Sequence, residues 1–177
     1  MFKSLGKNVK IGPNVYFRYP ELVEIGDNVI IDDFCYFTTS MKIRGNVHIG
    51  PHCTCIGGKN STLIMGIFSG LSAGVRLICN SDDFMNGLTG PTIPMEFRPH
   101  CSPSGKIVIE RHGLLGTNSV VMPNVTIEKG AATGAMTLVT KDLEAWWVYI
   151  GSPAKKFKRR NEDSILRAEA KYFREGR

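Results

Sequence analysis

Four histidines, His48, His52, His100 and His112, are the side chains of this sequence that exchange a proton near neutral pH, and each could act as a general base. Asp82 and Asp83 stand side by side. Either could orient such a base or hold a substrate ammonium or hydroxyl, and as residues of a loop corner they could equally accept from nearby N–H groups. His48, His52, Cys53 and Cys55 crowd four possible metal ligands into eight residues, unlike the two separated pairs of a structural zinc site, so no metal centre is expected. The five cysteines, Cys35, Cys53, Cys55, Cys79 and Cys101, include no C-x-x-C pair, and their odd number argues against a disulfide framework.

The chain that must position these groups has 177 residues, 42% of them hydrophobic and 21% charged, which suits one globular domain with or without a tail. No apolar run approaches the ~20 residues of a membrane span, and the start, Met1-Phe2-Lys3-Ser4-Leu5-Gly6-Lys7, has no secretory apolar core, so a cytoplasmic protein is expected. The net charge of +6 is unevenly placed. Nine basic and four acidic residues between Lys155 and Arg177 leave the body close to neutral. That distribution favours a local anionic contact near the C-terminus over a nucleic-acid-binding face. A solvated basic tail without a partner is the alternative.

The sequence repeats every six residues: an aliphatic residue, often Gly or an acid next, two variable positions, a small or β-branched residue, and one more variable position. Examples are Ile25-Gly-Asp-Asn-Val29-Ile, Ile49-Gly-Pro-His-Cys53-Thr and Val121-Met-Pro-Asn-Val125-Thr. Twelve such hexads span roughly residues 9 to 140. Helices repeat at 3.6 residues and strands at 2, so a period of six means short strands joined by corners. Three hexads make an 18-residue coil, and Ile25 to Ile43 and Ile109 to Ile127 are each 18 apart. Aliphatic residues then stack in columns inside a prism whose coils lie ~4.8 Å apart. Cys35 and Cys53 share the fifth position of successive coils and read as small buried fillers.

Two interruptions mark where function would sit. About four extra residues fall near Gly57-Gly58-Lys59-Asn60-Ser61, and a long insertion covers about residues 80–106. Its aromatic and aliphatic residues argue that it packs on something. The regular domain is read as 1–142, with 143–177 as an extension. There Asn161-Glu-Asp-Ser starts a short helix over 161–174, whose stripe of Ile165, Leu166, Tyr172 and Phe173 would cover the open end of the prism or a neighbouring subunit.

These hexads resemble the hexapeptide-repeat family, which implies an all-β left-handed parallel β-helix. At Phe68-Ser-Gly-Leu-Ser, Ser81-Asp82-Asp83-Phe84, Gly90-Pro-Thr-Ile-Pro, Ile109-Glu-Arg-His112 and Tyr149-Ile-Gly-Ser-Pro-Ala-Lys155 the chain is similar to the branch that moves acetyl from acetyl-CoA to a sugar. The resemblance implies a homotrimer with active sites between subunits, acetyl-CoA as co-substrate, and a sugar hydroxyl as acceptor, in surface-polysaccharide biosynthesis. The N-acetylation of a nucleotide-linked amino sugar is the alternative.

Relatives carry a His soon after the long loop begins, where this chain has Ser81-Asp82-Asp83. His112, read as an outward position just after the loop, is therefore the first choice of base. His48, also outward, is the second; His52 and His100 read as surface residues. By the same resemblance, CoA would meet the amides of Gly134 and Ala135, then Thr140, Lys141, Pro153, Ala154, Lys155 and Lys156, with Arg159 or Arg160 on its phosphates. Two readings of other classes remain: a metal hydratase of the gamma carbonic anhydrase kind, and a non-enzymatic β-helix scaffold whose basic tail sits on an anionic membrane.

Overall fold

A computed structural model describes residues 1–98 and 105–176. The chain winds into a parallel β-solenoid whose outward residues align in three columns. One column is Ser4, Glu24, Lys42, Ile64, Val108 and Thr126. A second is Tyr16, Tyr36, Thr54, Arg76, Val120 and Leu138. The long strands Tyr36–Ile43 and Thr54–Met65 turn the corner between these two faces and join them into one sheet. The third face is a separate eight-stranded sheet that begins at Lys10–Ile11 and ends at Lys155–Arg159. The first hexad residues fill the interior: Ile25, Ile31, Ile43, Ile49, Met65, Leu71, Ile109, Leu115, Val121 and Ile127 are all buried. Cys35 and Cys53 are buried beside them, their thiols donating to the carbonyls of Gly50 and Ser72 across 3.2 Å. The extra residues near Gly57–Ser61 appear as a register slip, with Thr39 opposite Gly58 and the next residue, Ser40, opposite Thr62.

At most corners the fourth hexad residue adopts the left-handed region. Asn28, Asn46, Asn118 and Asn124 have φ between 56° and 61°, where asparagine is at ease. Phe34, His52, Phe68, His112, Met136 and Trp146 adopt the same φ, which costs such side chains roughly 1–2 kcal/mol each. Stacking between coils offsets part of that cost at about 0.5–1.5 kcal/mol a pair. Phe34 lies 5.1 Å from His52 at 11°, and Phe68 lies 5.4 Å from His112 at 6°.

Trp146 also corrects the expected end of the repeats. Leu143-Glu-Ala-Trp146 is one more hexad start, and Trp147–Ile150 pairs in parallel with Ala132–Thr133, so the solenoid runs past residue 142. The chain then reverses through Lys155–Arg159, antiparallel to Trp147–Ile150.

Helix α1, Glu162–Arg174, starts where the sequence suggests, with the Asn161 side chain accepting from the Ser164 N–H at 3.0 Å. Its docking differs from expectation, since it covers a corner rather than an open end. Tyr172 donates to Asn46 Oδ1 at 2.8 Å, Tyr172 and Phe173 pack edge-on to Phe68, and Glu169 meets Arg111 and His112. Thirteen residues give ~20 Å of helix, the height of about four coils, which is the span from the Trp146 corner to the Asn46 corner.

That docking overturns the outward reading of His112. Its side chain is 7% exposed, stacked between Phe68 and Trp146, with Nε2 3.3 Å from Glu169 Oε2. Burial, reinforced by Arg111, Arg160 and Lys129, lowers its pKa from 6.5 to about 4. Between those values the unfolded chain holds more protons than the fold. The stability this neutral ring contributes is therefore complete above pH 6.5 and is lost as pH falls toward 4. His112→Phe, which keeps the stack, should flatten the decline of melting temperature across that window. An unaltered pH slope would show that the ring is not held neutral.

Candidate functional site

Along the third face the outward column reads Lys10, Ile30, His48, Gly70, Leu114, Ala132, Val148 and Lys158. His48 points out because it immediately precedes the inward Ile49, as strand alternation requires. Above it Gly70 carries no side chain, and a groove of about 540 Å³ opens there, bordered by His48, Gly70, Ser72, Leu114 and Ala132. Asp32 follows the inward Ile31 one coil below, and its Oδ2 lies 2.8 Å from His48 Nε2. A carboxylate only accepts, so Nε2–H is the donor, and in the neutral ring Nδ1 carries the lone pair. With 60% of its side chain exposed, His48 can present that lone pair to a molecule in the groove. This is an oriented base beside a cleft.

The other sequence candidates separate. His112 sits under α1, and the carboxylate beside it is Glu169, not Asp82 or Asp83. Asp83 is engaged within its own loop, accepting from Met85 N–H at 2.8 Å and Asn86 Nδ2 at 2.9 Å, and these bonds lower its pKa. His52 stacks on Phe34 at a corner, while His100 and Cys101 lie outside the described residues. Loop residues Phe84 and Met85 stand 81% and 87% exposed, so these two apolar side chains of the insertion have no cover among the described residues.

Most of the expected CoA set does converge. Thr140, Lys141, Pro153, Ala154, Lys155 and Lys156 line one cleft of about 370 Å³ at the end of the solenoid. Lys156 is tied to Glu144 at 2.6 Å and, with Arg159, lies over the Trp147 ring at 5.0 and 5.2 Å. Two members of the expected set are already engaged within the chain. Gly134 N–H already donates to Tyr149 O at 2.8 Å, so it offers no amide to a ligand. Arg160 is spent on the corner, donating to the carbonyls of His112 and Gly130 at 2.8 Å each. Ala135, by contrast, remains exposed.

Asp32 and Trp147 are the functional candidates that the sequence reading passed over. Asp32 was legible, since the 18-residue coil places its hexad beside that of Ile49 and hence near His48. Trp147 had no such signal, because its role depends on the chain reversal that follows it. Among the described residues no three His, Cys, Asp or Glu side chains converge on a metal-sized site, and no helix is long and apolar enough to cross a membrane.

No protein-family model matches the sequence. Individual proteins do. The dTDP-4-amino-4,6-dideoxy-D-glucose acyltransferase of Escherichia coli is 34% identical over 166 residues, covering 91% of this chain and 84% of that one. The galactoside O-acetyltransferase of Escherichia coli K12 is 26% identical over 170 residues, covering 92% of this chain and 66% of that one. Among solved structures, AntD, an N-acyltransferase from Bacillus cereus in complex with dTDP-4-amino-4,6-dideoxyglucose and coenzyme A, superposes with a TM-score of 0.92 at 34% identity, over 98% of this chain and 92% of that one. A solenoid of hexads, an oriented histidine on its face and a near-full-length match to acyltransferases agree, and the chain belongs to the hexapeptide-repeat family of CoA-dependent acyltransferases.

Proposed function

We propose that this protein transfers an acyl group from a CoA thioester to the amino group of a dTDP-linked amino sugar. The observation that carries this reading is the near-full-length similarity to two enzymes of that acceptor class, at 34% identity each. The sugar-hydroxyl acceptor rests on a weaker match, 26% identity over 66% of the galactoside enzyme. Both co-substrates of the amine reading are cytoplasmic metabolites, and an acylated nucleotide sugar is a building block for surface polysaccharide.

In this mechanism His48 Nδ1 takes a proton from the acceptor amine as nitrogen attacks the thioester carbonyl, while Asp32 holds Nε2–H and stabilises the imidazolium. The C–N bond forms, the C–S bond breaks, and the proton passes from His48 to the departing CoA sulfur. No covalent enzyme intermediate is needed. Asp82 suits the acceptor amine, accepting from one of its N–H groups and leaving the nitrogen lone pair free to attack. AntD has been crystallised as variants at a serine and at an aspartate ten residues further along, and Ser72 and Asp82 stand in that relation here. Lys141, Lys155 and Arg159 supply cations for the CoA phosphates. A homotrimer completes the site: the groove beside His48 is open on one side, and Phe84, Met85, Leu88 and Phe97 of the insertion are exposed, as an interface would require.

Incubated with acetyl-CoA and a panel of sugars, the purified protein should release CoA thiol with dTDP-linked amino sugars and give an amide product. An ester formed with free glycans instead would return the acceptor to a hydroxyl. His48→Ala should lower kcat by ~10²–10⁴ with little change in KM for the thioester, and Asp32→Asn should lower it less. A larger kcat loss from His112→Ala than from His48→Ala would overturn the choice of base. Sedimentation equilibrium should report three copies per particle; an active monomer would remove the shared site.

A further inference from the structure

Gly70 is the member of the third-face column that lacks a side chain, between His48 on one neighbouring coil and Leu114 on the other. Two constraints oblige glycine elsewhere in this fold, and neither acts here. The first is a left-handed φ, as at Gly74 (73°) and Gly130 (70°). The second is a neighbouring coil: a Cβ at Gly26, Gly66 or Gly116 would come within 3.0 Å of the next coil's backbone. At position 70 the same atom would lie 3.4 Å from His48 O and from Leu114 Cδ2, an ordinary contact. Among the described glycines outside the left-handed region, Gly70 is the only one whose Cβ would meet nothing closer than 3.4 Å. A glycine inside a strand weakens it, and one that packing does not demand marks a close approach by something else.

What Gly70 leaves is a dent in the groove floor beside the base. From it the column continues through Leu114, Ala132 and Val148, an apolar track, to Lys158, about 19 Å away at the spacing of stacked coils. A molecule with an anionic end and a reactive carbonyl would lie along that track with its phosphates among the cations of Lys155–Arg159. Its carbonyl carbon must stand within reach of an amine held by His48. The substituent beyond the carbonyl then points over Gly70. We infer that the dent receives the acyl chain of the thioester, so that Gly70 sets the length of acyl group this enzyme transfers and admits chains longer than acetyl. The inference rests on the proposed reading, in which His48 is the base and CoA lies at the basic end.

The test compares acetyl-, propionyl- and butyryl-CoA in wild type, Gly70→Ala and Gly70→Val. The Ala variant should fold, since its Cβ meets nothing tighter than ordinary contact, and a melting temperature at or above wild type checks this. A methylene in such a pocket is worth about 10–200-fold in discrimination. The butyryl-to-acetyl ratio of kcat/KM should therefore fall at least tenfold in Gly70→Ala, and further in Gly70→Val. A ratio that stays within about twofold, or a rise in KM for the sugar in place of the acyl shift, overturns the inference. Should the ratio shift as expected while His48→Ala keeps its rate, the base assignment fails and the acyl dent stands. If wild type transfers no acyl group from any of these donors, the proposed function fails and this inference with it.

Discussion

Everything in this molecule depends on the register between coils. Each coil hydrogen-bonds to the next with Ile25 beside Ile43 and Ile31 beside Ile49, and strand pairing continues from Lys10 to Lys158 along the third face. Once that register is set, residues about 18 apart in sequence are ~4.8 Å apart in space. The buried aliphatic columns hold the register, because a slip of one residue would exchange inward Ile49 for outward His48. Chemistry is then a matter of which side chains the outward positions carry. His48 and Asp32 meet at 2.8 Å because they occupy adjoining coils, without a loop or a helix to bring them together.

This register also explains which parts were legible in the sequence. The solenoid could be read because a period of six has no other structural source, and the fillers Cys35 and Cys53 fell into place with it. The same lattice could have produced Asp32. His112 could not be placed by it. Its hexad position points away from the interior, and its burial comes from α1, which returns some fifty residues later to cover Phe68 and His112. Contacts between a regular lattice and an element outside it leave no period in the sequence. The last coil was hidden by its own residues, since Trp147 stands at the fifth position of its hexad, where the pattern carries a small or β-branched residue.

The corner and the face carry different burdens. The aromatic corner of Phe68, His112 and Trp146 tolerates unfavourable φ values because the rings stack and α1 shields them, and Arg160 fastens two of its carbonyls. A histidine in that setting is driven neutral by desolvation and can neither bind nor release a proton near pH 7. His48 lies on the open face, with a carboxylate partner and solvent at its other nitrogen. Two histidines of one solenoid thus stand in opposite settings, one covered and neutral, the other open and paired with a carboxylate.

Charge placement follows the same division. The body of the solenoid is close to neutral, whereas the cations are concentrated on the terminal hairpin and helix. Lys156 and Arg159 do not wave in solvent: both lie over the Trp147 ring, and Lys156 also meets Glu144. A cation ordered in this way loses less side-chain entropy on meeting a phosphate than a free lysine would. In the proposed reading the hairpin anchors the charged end of a long co-substrate, and the fixed rise of the coils, not a flexible loop, then determines how far from that anchor the reacting carbonyl can stand.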